Sequence, residues 1–311
     1  MPLDPQIKAI IDQAASSGAP PLSSLKPGQA RAAFRALFKN FGGTPAAVAK
    51  ADDRAIPGPA GEIGLRIYTP AGKGPFPALM FFHGGGWVVG DLDTHDPLCR
   101  ALTNEARCIT VAVDYRLAPE NKFPAAAEDC YAASQWVAGN AAAIGASHAR
   151  LAVSGDSAGG NLSAAVSLMA RDRKDLQVGY QLLMYPALDA ALQTKSMAEC
   201  AEGYLLTRDD MVWFWGHYLR GDQDRSNPYA CPSAARDLSG LPPAMIITAE
   251  FDPLRDEGEA YAQRLEEAHV PVVLKRYEGM THGFMSMASI VDKGRKAIEE
   301  AASHLKAAFG G

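Results

Sequence analysis

Apolar residues recur along this chain in two different periods. In the first fifty residues the spacing is helical: Ile7, Ile10 and Ile11 stand at i, i+3 and i+4 within Gln6–Ala15, and Phe34, Leu37 and Phe38 do the same within Gln29–Asn40. A Ser-, Gly- and Pro-rich stretch, Ser16–Gly28, separates the two. From about Asp53 the pattern changes to short, nearly continuous apolar runs: Leu65–Thr69, Ala78–Phe82, Ile109–Asp114, Leu151–Gly155, Gln181–Tyr185, Ala244–Ala249 and Val272–Tyr277. Runs of this length without polar alternation predict strands covered on both faces, as in a mostly parallel sheet between helices. Helical patterns lie among them at Ala125–Ala138, Asn161–Arg171, Arg255–Ala268 and Ile290–Ala308. The alternation of strand and helix predicts an α/β, doubly wound architecture.

One segment interrupts the alternation. Between Asp189 and Ser233 no strand pattern occurs, and an aromatic helix carrying Met211, Trp213, Phe214, Trp215 and Tyr218 fills the middle. Thr207, with Asp210 three residues on, has the spacing of a capping box at its start. The chain therefore divides into N-terminal helices (1–52), a core (53–188 and 234–311) and an insertion (189–233) that joins those helices as a candidate cap over the sheet. The aromatic stripe reads first as ordinary core, and the same residues can line a pocket, because a cap must both pack on the sheet and wall a site.

Composition narrows the function classes. The chain has 311 residues, 48% hydrophobic and 21% charged, which excludes a disordered or disulfide-stapled class. Its formal charge is −5, and the longest basic run is the short Arg171–Lys174 segment, so nucleic acid and anionic membranes are poor partners. Five dispersed cysteines form neither a CxxC pair nor a zinc spacing, as expected of reduced, mostly buried thiols. With no signal-peptide pattern and no apolar run near the roughly 20 residues of a membrane span, the expectation is a soluble, cytoplasmic protein.

The chemistry concentrates at strand ends. Gly155-Asp156-Ser157-Ala158-Gly159 has the form G-x-S-x-G, directly after one strand and directly before a helix. A strand reversing sharply into a helix strains the turn residue, needs small neighbours two positions away, and lifts the serine hydroxyl to a helix N-terminus. The plainer alternative is a serine that only caps the helix. Acyl transfer by Ser157 requires N–H donors for the tetrahedral oxyanion. The Ala158 amide and the glycines of His83-Gly84-Gly85-Gly86-Trp87, right after the strand ending at Phe82, are the candidates. A phosphate-binding role for these glycines lacks the Lys-Ser/Thr or GxGxxG pattern, and His83 is read as orienting this loop.

A serine nucleophile needs a base and a carboxylate to orient it, in the chain order Ser, Asp/Glu, His. Four histidines follow Ser157. His217 falls in the aromatic helix, His269 at a helix end and His304 on the last helix, whereas His282 follows a strand at its carboxyl end. Asp252 occupies the matching position after the preceding strand, with Glu250 as nearest competitor and Asp256 next. The acidic stretch Asp91–Asp96 lacks the glycine and distant glutamate of a calcium loop and is read as a capped helix start, so no metal is expected. The Arg116/Glu120 pair in Tyr115–Glu120 is read as fixing a loop beside the site.

Taken in order, HGGGW (83–87), YRLAPE (115–120), GDSAGG (155–160), DPLRDEG (252–258) and HGF (282–284) resemble the blocks of the bacterial hormone-sensitive-lipase family of α/β-hydrolases, over about Leu65 to Phe284. The resemblance implies an eight-stranded sheet, a cap built from the N-terminal helices and an insertion, and no cofactor. It implies Ser157 as nucleophile, Asp252 as acid and His282 as base. The oxyanion set becomes Gly85, Gly86 and Ala158, with Gly84 in the same loop allowing the turn. The implied substrate is a small-molecule ester with a short- to medium-chain acyl group, and a homodimer through a sheet edge is expected. An amidase or peptidase on the same machinery, and a non-catalytic receptor on the same fold, are the alternatives.

Overall fold

A computed structural model of the chain describes residues 2–41 and 43–310. Met1, Gly42 and Gly311, which the segments above include, lie outside the described residues. The chain begins with α1 (Pro5–Ser16) and α2 (Pro27–Phe41), then β1 (Lys50–Gly58), β2 (Gly61–Thr69) and β3 (Phe76–Phe82). Next come α3 (Asp96–Ala106), β4 (Ile109–Asp114), α4 (Ala125–Gly139), β5 (Ala146–Asp156), α5 (Ala158–Arg173) and β6 (Tyr180–Met184). The last third contains α6 (Lys195–Glu199), α7 (Arg208–Tyr218), β7 (Ala244–Phe251), α8 (Arg255–Glu267), β8 (Val272–Thr281) and α9 (Asp292–Ala308).

The eight strands form one sheet in the order β1-β2-β4-β3-β5-β6-β7-β8, antiparallel at β1–β2 and β2–β4 and parallel from β4 to β8. All seven apolar runs become strands. The eighth, β1, has a sequence (KADDRAIPG) that hides it, because it is an edge strand whose one buried side chain is Ile56. Since β1 starts at Lys50, the boundary expected at residue 52 falls inside a strand.

Central strands are apolar throughout because both faces are covered. On β3, Ala78, Met80 and Phe82 join the core cluster that includes α4 and α5, while Leu79 and Phe81 join the cluster that includes α3 and α9. The five cysteines are free and buried. Among the described residues, 189–233 form no strand; α6 and α7 lie there, and Thr207 and Asp210 make the expected capping box at the start of α7. No helix among the described residues is long and apolar enough to cross a membrane.

Candidate active site

β5 delivers Ser157 at the point where the chain reverses into α5. Its backbone (φ 57°, ψ −117°) is a conformation that an L-residue holds only when its surroundings impose it. The Ser157 N–H donates to the Met184 carbonyl at 2.8 Å, and its own carbonyl accepts from Asn161 and Ala187. Gly155 and Gly159 are needed here: a Cβ on either would overlap the Phe82 carbonyl oxygen of β3. Only backbone fits between these two strands and the helix.

The neighbouring strands β7 and β8 supply the other two side chains. Their register pairs Phe251 with Thr281, so Asp252 and His282 leave the sheet side by side. β8 runs to Thr281, four residues beyond the apolar run Val272–Tyr277, so it carries the chain directly to His282. Asp252 is fully buried; its Oδ2 lies 2.8 Å from His282 Nδ1, and its Oδ1 accepts from the Leu254 N–H. A carboxylate there assigns the ring hydrogen to Nδ1 and leaves Nε2 as the free acceptor. Tyr185 holds the imidazole edge-on, with ring centroids 4.9 Å apart at 65°. Nothing in the local sequence pattern marks Tyr185, and its positive φ of 35° is visible only in three dimensions.

The competitors are engaged elsewhere. Glu250 accepts from the Gly279 N–H, and Asp256 takes the Ser196 N–H and pairs with Arg255. His217 packs against Trp213, and His269 follows the C-cap of α8 with φ 59°.

The glycine loop after β3 divides its labour. Gly85 (φ 114°) and Gly86 (φ 57°) adopt backbone that favours glycine, and a Cβ on Gly86 would overlap the Phe214 ring of α7. Gly84 differs: its N–H is donated to Asp156 Oδ1 at 2.8 Å, and a Cβ would overlap that carboxylate. Its amide is therefore not an open donor, which removes Gly84 from the candidate oxyanion N–H groups; its φ is not positive, so glycine is required there by the close approach of Asp156 rather than by the turn. Ala158, as first residue of α5, has no carbonyl of its own helix to bond.

Beneath the loop, His83 stacks on Tyr115 with centroids 4.2 Å apart, and its Nδ1 lies 2.7 Å from the Gly84 carbonyl. His95 Nε2 lies 3.3 Å from the Asp156 carboxylate. Burial pushes the Asp156 pKa up, but the charge and hydrogen bond of His95 and the Gly84 amide outweigh it and carry it below its usual value. Burial, reinforced by His95, lowers the His83 pKa from 6.5 to about 4. Between those two values the unfolded chain binds a proton that the folded one refuses. Stability is therefore flat above the unfolded value, falls as pH drops through it, and levels off near the folded one, a loss of about 3 kcal/mol for His83. Urea unfolding across this range is expected to show that slope in the native sequence and a flatter profile in His83→Asn; equal slopes would contradict it.

The Tyr115–Glu120 block does fix the neighbouring loop, but not by pairing Arg116 with Glu120. Arg116 makes a bidentate pair with Asp129 at the start of α4. Glu120 accepts Arg31 of α2, which also donates to the Val88 and Ala118 carbonyls and straps that helix beside the glycine loop. In the acidic stretch, Asp91 Oδ1 accepts the N–H groups of Asp93 and Thr94, and α3 begins at Asp96. Among the described residues no group of three or more His, Cys, Asp or Glu is placed to hold a metal ion.

Ser157 and His282 open onto one cavity of about 530 Å³, with Gly85, Gly86 and Asp156 beside them. Its walls are largely apolar: Ile10 and Ala14 of α1, Phe34, Leu37, Phe38 and Phe41 of α2, and Leu205, Leu206 and Phe214 near or on α7.

A sequence profile described as the alpha/beta hydrolase fold matches residues 79–286. Carboxylic ester hydrolase LipN of Mycobacterium tuberculosis is 46% identical over 283 residues, covering 89% of this chain and 75% of LipN. The chain belongs to the hormone-sensitive-lipase-like family of α/β-hydrolases. Among solved structures of such hydrolases, a hyperthermophilic esterase from the archaeon Pyrobaculum calidifontis superposes with a TM-score of 0.94 at 43% identity, covering 99% of both chains. An α/β-hydrolase enzyme from the metagenome of Lake Arreo, Spain, gives 0.96 at 41% identity, again over 99% of each chain. The arrangement of strand ends, elbow and glycine loop is thus that of an α/β-hydrolase.

Proposed function

We propose that Ser157, His282 and Asp252 form the catalytic triad of a serine carboxylesterase that works through an acyl-enzyme. The protein is a carboxylic ester hydrolase of the α/β-hydrolase fold, acting on small-molecule esters. The observation that carries the triad is the 2.8 Å contact between His282 Nδ1 and the buried Asp252 carboxylate, at the wall of the cavity onto which Ser157 opens. Ser157 Oγ attacks the ester carbonyl carbon while His282 Nε2 takes its proton. The oxyanion is met by the N–H groups of Gly85, Gly86 and Ala158, and His282 then protonates the leaving alcohol. Water, activated by the same base, attacks the acyl-enzyme and releases the carboxylate, so the sequence of steps needs no cofactor.

α1, α2 and the 189–233 insertion form the proposed cap, since their residues supply most of the apolar wall. The β8 edge, where Val273 and Leu274 are exposed, is the proposed surface for a second copy of the chain. A cavity of about 530 Å³ with this lining favours short- to medium-chain acyl groups. In a series of p-nitrophenyl esters, kcat/KM is expected to peak at butyrate to octanoate and fall at laurate, and matched anilides are expected to be far slower. A maximum at the longest chains, or anilides cleaved as fast as esters, would contradict this reading.

A further inference from the structure

Among the described residues, the cavity wall carries two carboxylates, Asp156 and Asp210, and no Lys or Arg. Asp210 is 5% exposed and accepts three hydrogen bonds, from the Ser23 N–H and from the N–H and hydroxyl of Thr207. All three donors are neutral, and the positive end of the α7 dipole, in whose first turn Asp210 sits, offsets its charge only in part. Its apolar surroundings, Leu206 and Phe214 among them, screen that charge weakly. Asp156 adds a second buried carboxylate under the glycine loop, tied to Gly84 and His95, whose interactions hold its pKa low.

Among the described side chains on neighbouring elements, Arg31, Arg35 and Lys122 are held by other partners. Arg31 is spent on Glu120 and two carbonyls, and Arg35 pairs with Asp91. Lys122 donates to the Gly216, His217 and Leu219 carbonyls at the end of α7, and Arg208 is exposed.

We infer that this cavity selects esters by charge, accepting neutral and cationic acyl groups and rejecting those that carry a second, ionised carboxylate. The inference rests on the proposed triad, because it concerns the same cavity. At roughly 8 Å and an effective dielectric near about 20, one wall carboxylate disfavours an anion by about thirtyfold and favours a cation by as much. An apolar cavity also rejects any ion through desolvation, but that penalty does not depend on sign.

The test uses three p-nitrophenyl esters with the same five-carbon acyl chain, ending in a methyl group (pentanoate), a carboxylate (glutarate) or a trimethylammonium group. At about 0.15 M salt, kcat/KM for the cationic ester is expected to exceed that for the anionic one by at least about thirtyfold. Gln13→Arg, which adds a cation to the α1 wall, is expected to shrink that ratio at least about fivefold. Cationic and anionic esters turned over within about threefold of each other would overturn the inference and leave the triad standing. Loss of turnover on the neutral ester itself would contradict the triad, and the charge selection with it.

Discussion

Ser157→Ala is expected to leave the protein folded while its kcat for p-nitrophenyl butyrate falls by about 10⁴- to 10⁶-fold. The side chain is small and sits at the turn between β5 and α5, so its removal disturbs little packing. It does remove the one oxygen that the proposed mechanism uses to carry the acyl group. Residual turnover is then expected from binding and from the proposed oxyanion donors, the N–H groups of Gly85, Gly86 and Ala158. His282→Ala is expected to cost a similar factor, and the double variant no more than either alone, because the two side chains share one proton transfer. Steady-state rates with thermal unfolding as the control test this. Losses that multiply in the double variant would show the two acting independently.

Gly159→Ala has the largest expected effect on the fold. A Cβ there would overlap the Phe82 carbonyl oxygen, and Phe82 is held by pairing with Val113 of β4 and Gly155 of β5. Neither backbone yields without opening the centre of the sheet, so a loss of at least about 4 kcal/mol or failure to fold is expected. Gly28→Ala, in α2 with nothing within 4 Å of the added carbon, is the matched control and is expected to be neutral or slightly stabilising. Urea unfolding of both variants separates the two, and a stable Gly159→Ala would contradict the proposed closeness of β3 and the elbow.

The parts of this molecule that were legible in its sequence are those where one local rule dominates. The strands at the middle of the sheet are continuous apolar runs because helices cover both faces, and Ser157 announces itself through glycines that the elbow cannot do without. His282 and Asp252 could be singled out because each follows a strand at its carboxyl end, and β7 and β8 are neighbours. β1 escaped because an edge strand buries almost nothing; its Lys, Asp and Arg residues face solvent and leave no period-two signal. The role of Gly84 depends on a contact with Asp156 across 72 positions, and Arg31 reaches Glu120 across 89. Tyr185 against His282, and the placing of Asp210 at the cavity wall, are likewise products of tertiary packing. Asp210 reads in sequence only as a helix cap, which it also is.

The most direct measurement of the central claim is titration with a p-nitrophenyl alkylphosphonate, followed by mass analysis of the modified chain. The triad predicts release of one equivalent of p-nitrophenol, a single phosphonyl adduct on the peptide containing Ser157, and no adduct in Ser157→Ala. An adduct on another side chain, or full labelling of the variant, would contradict it.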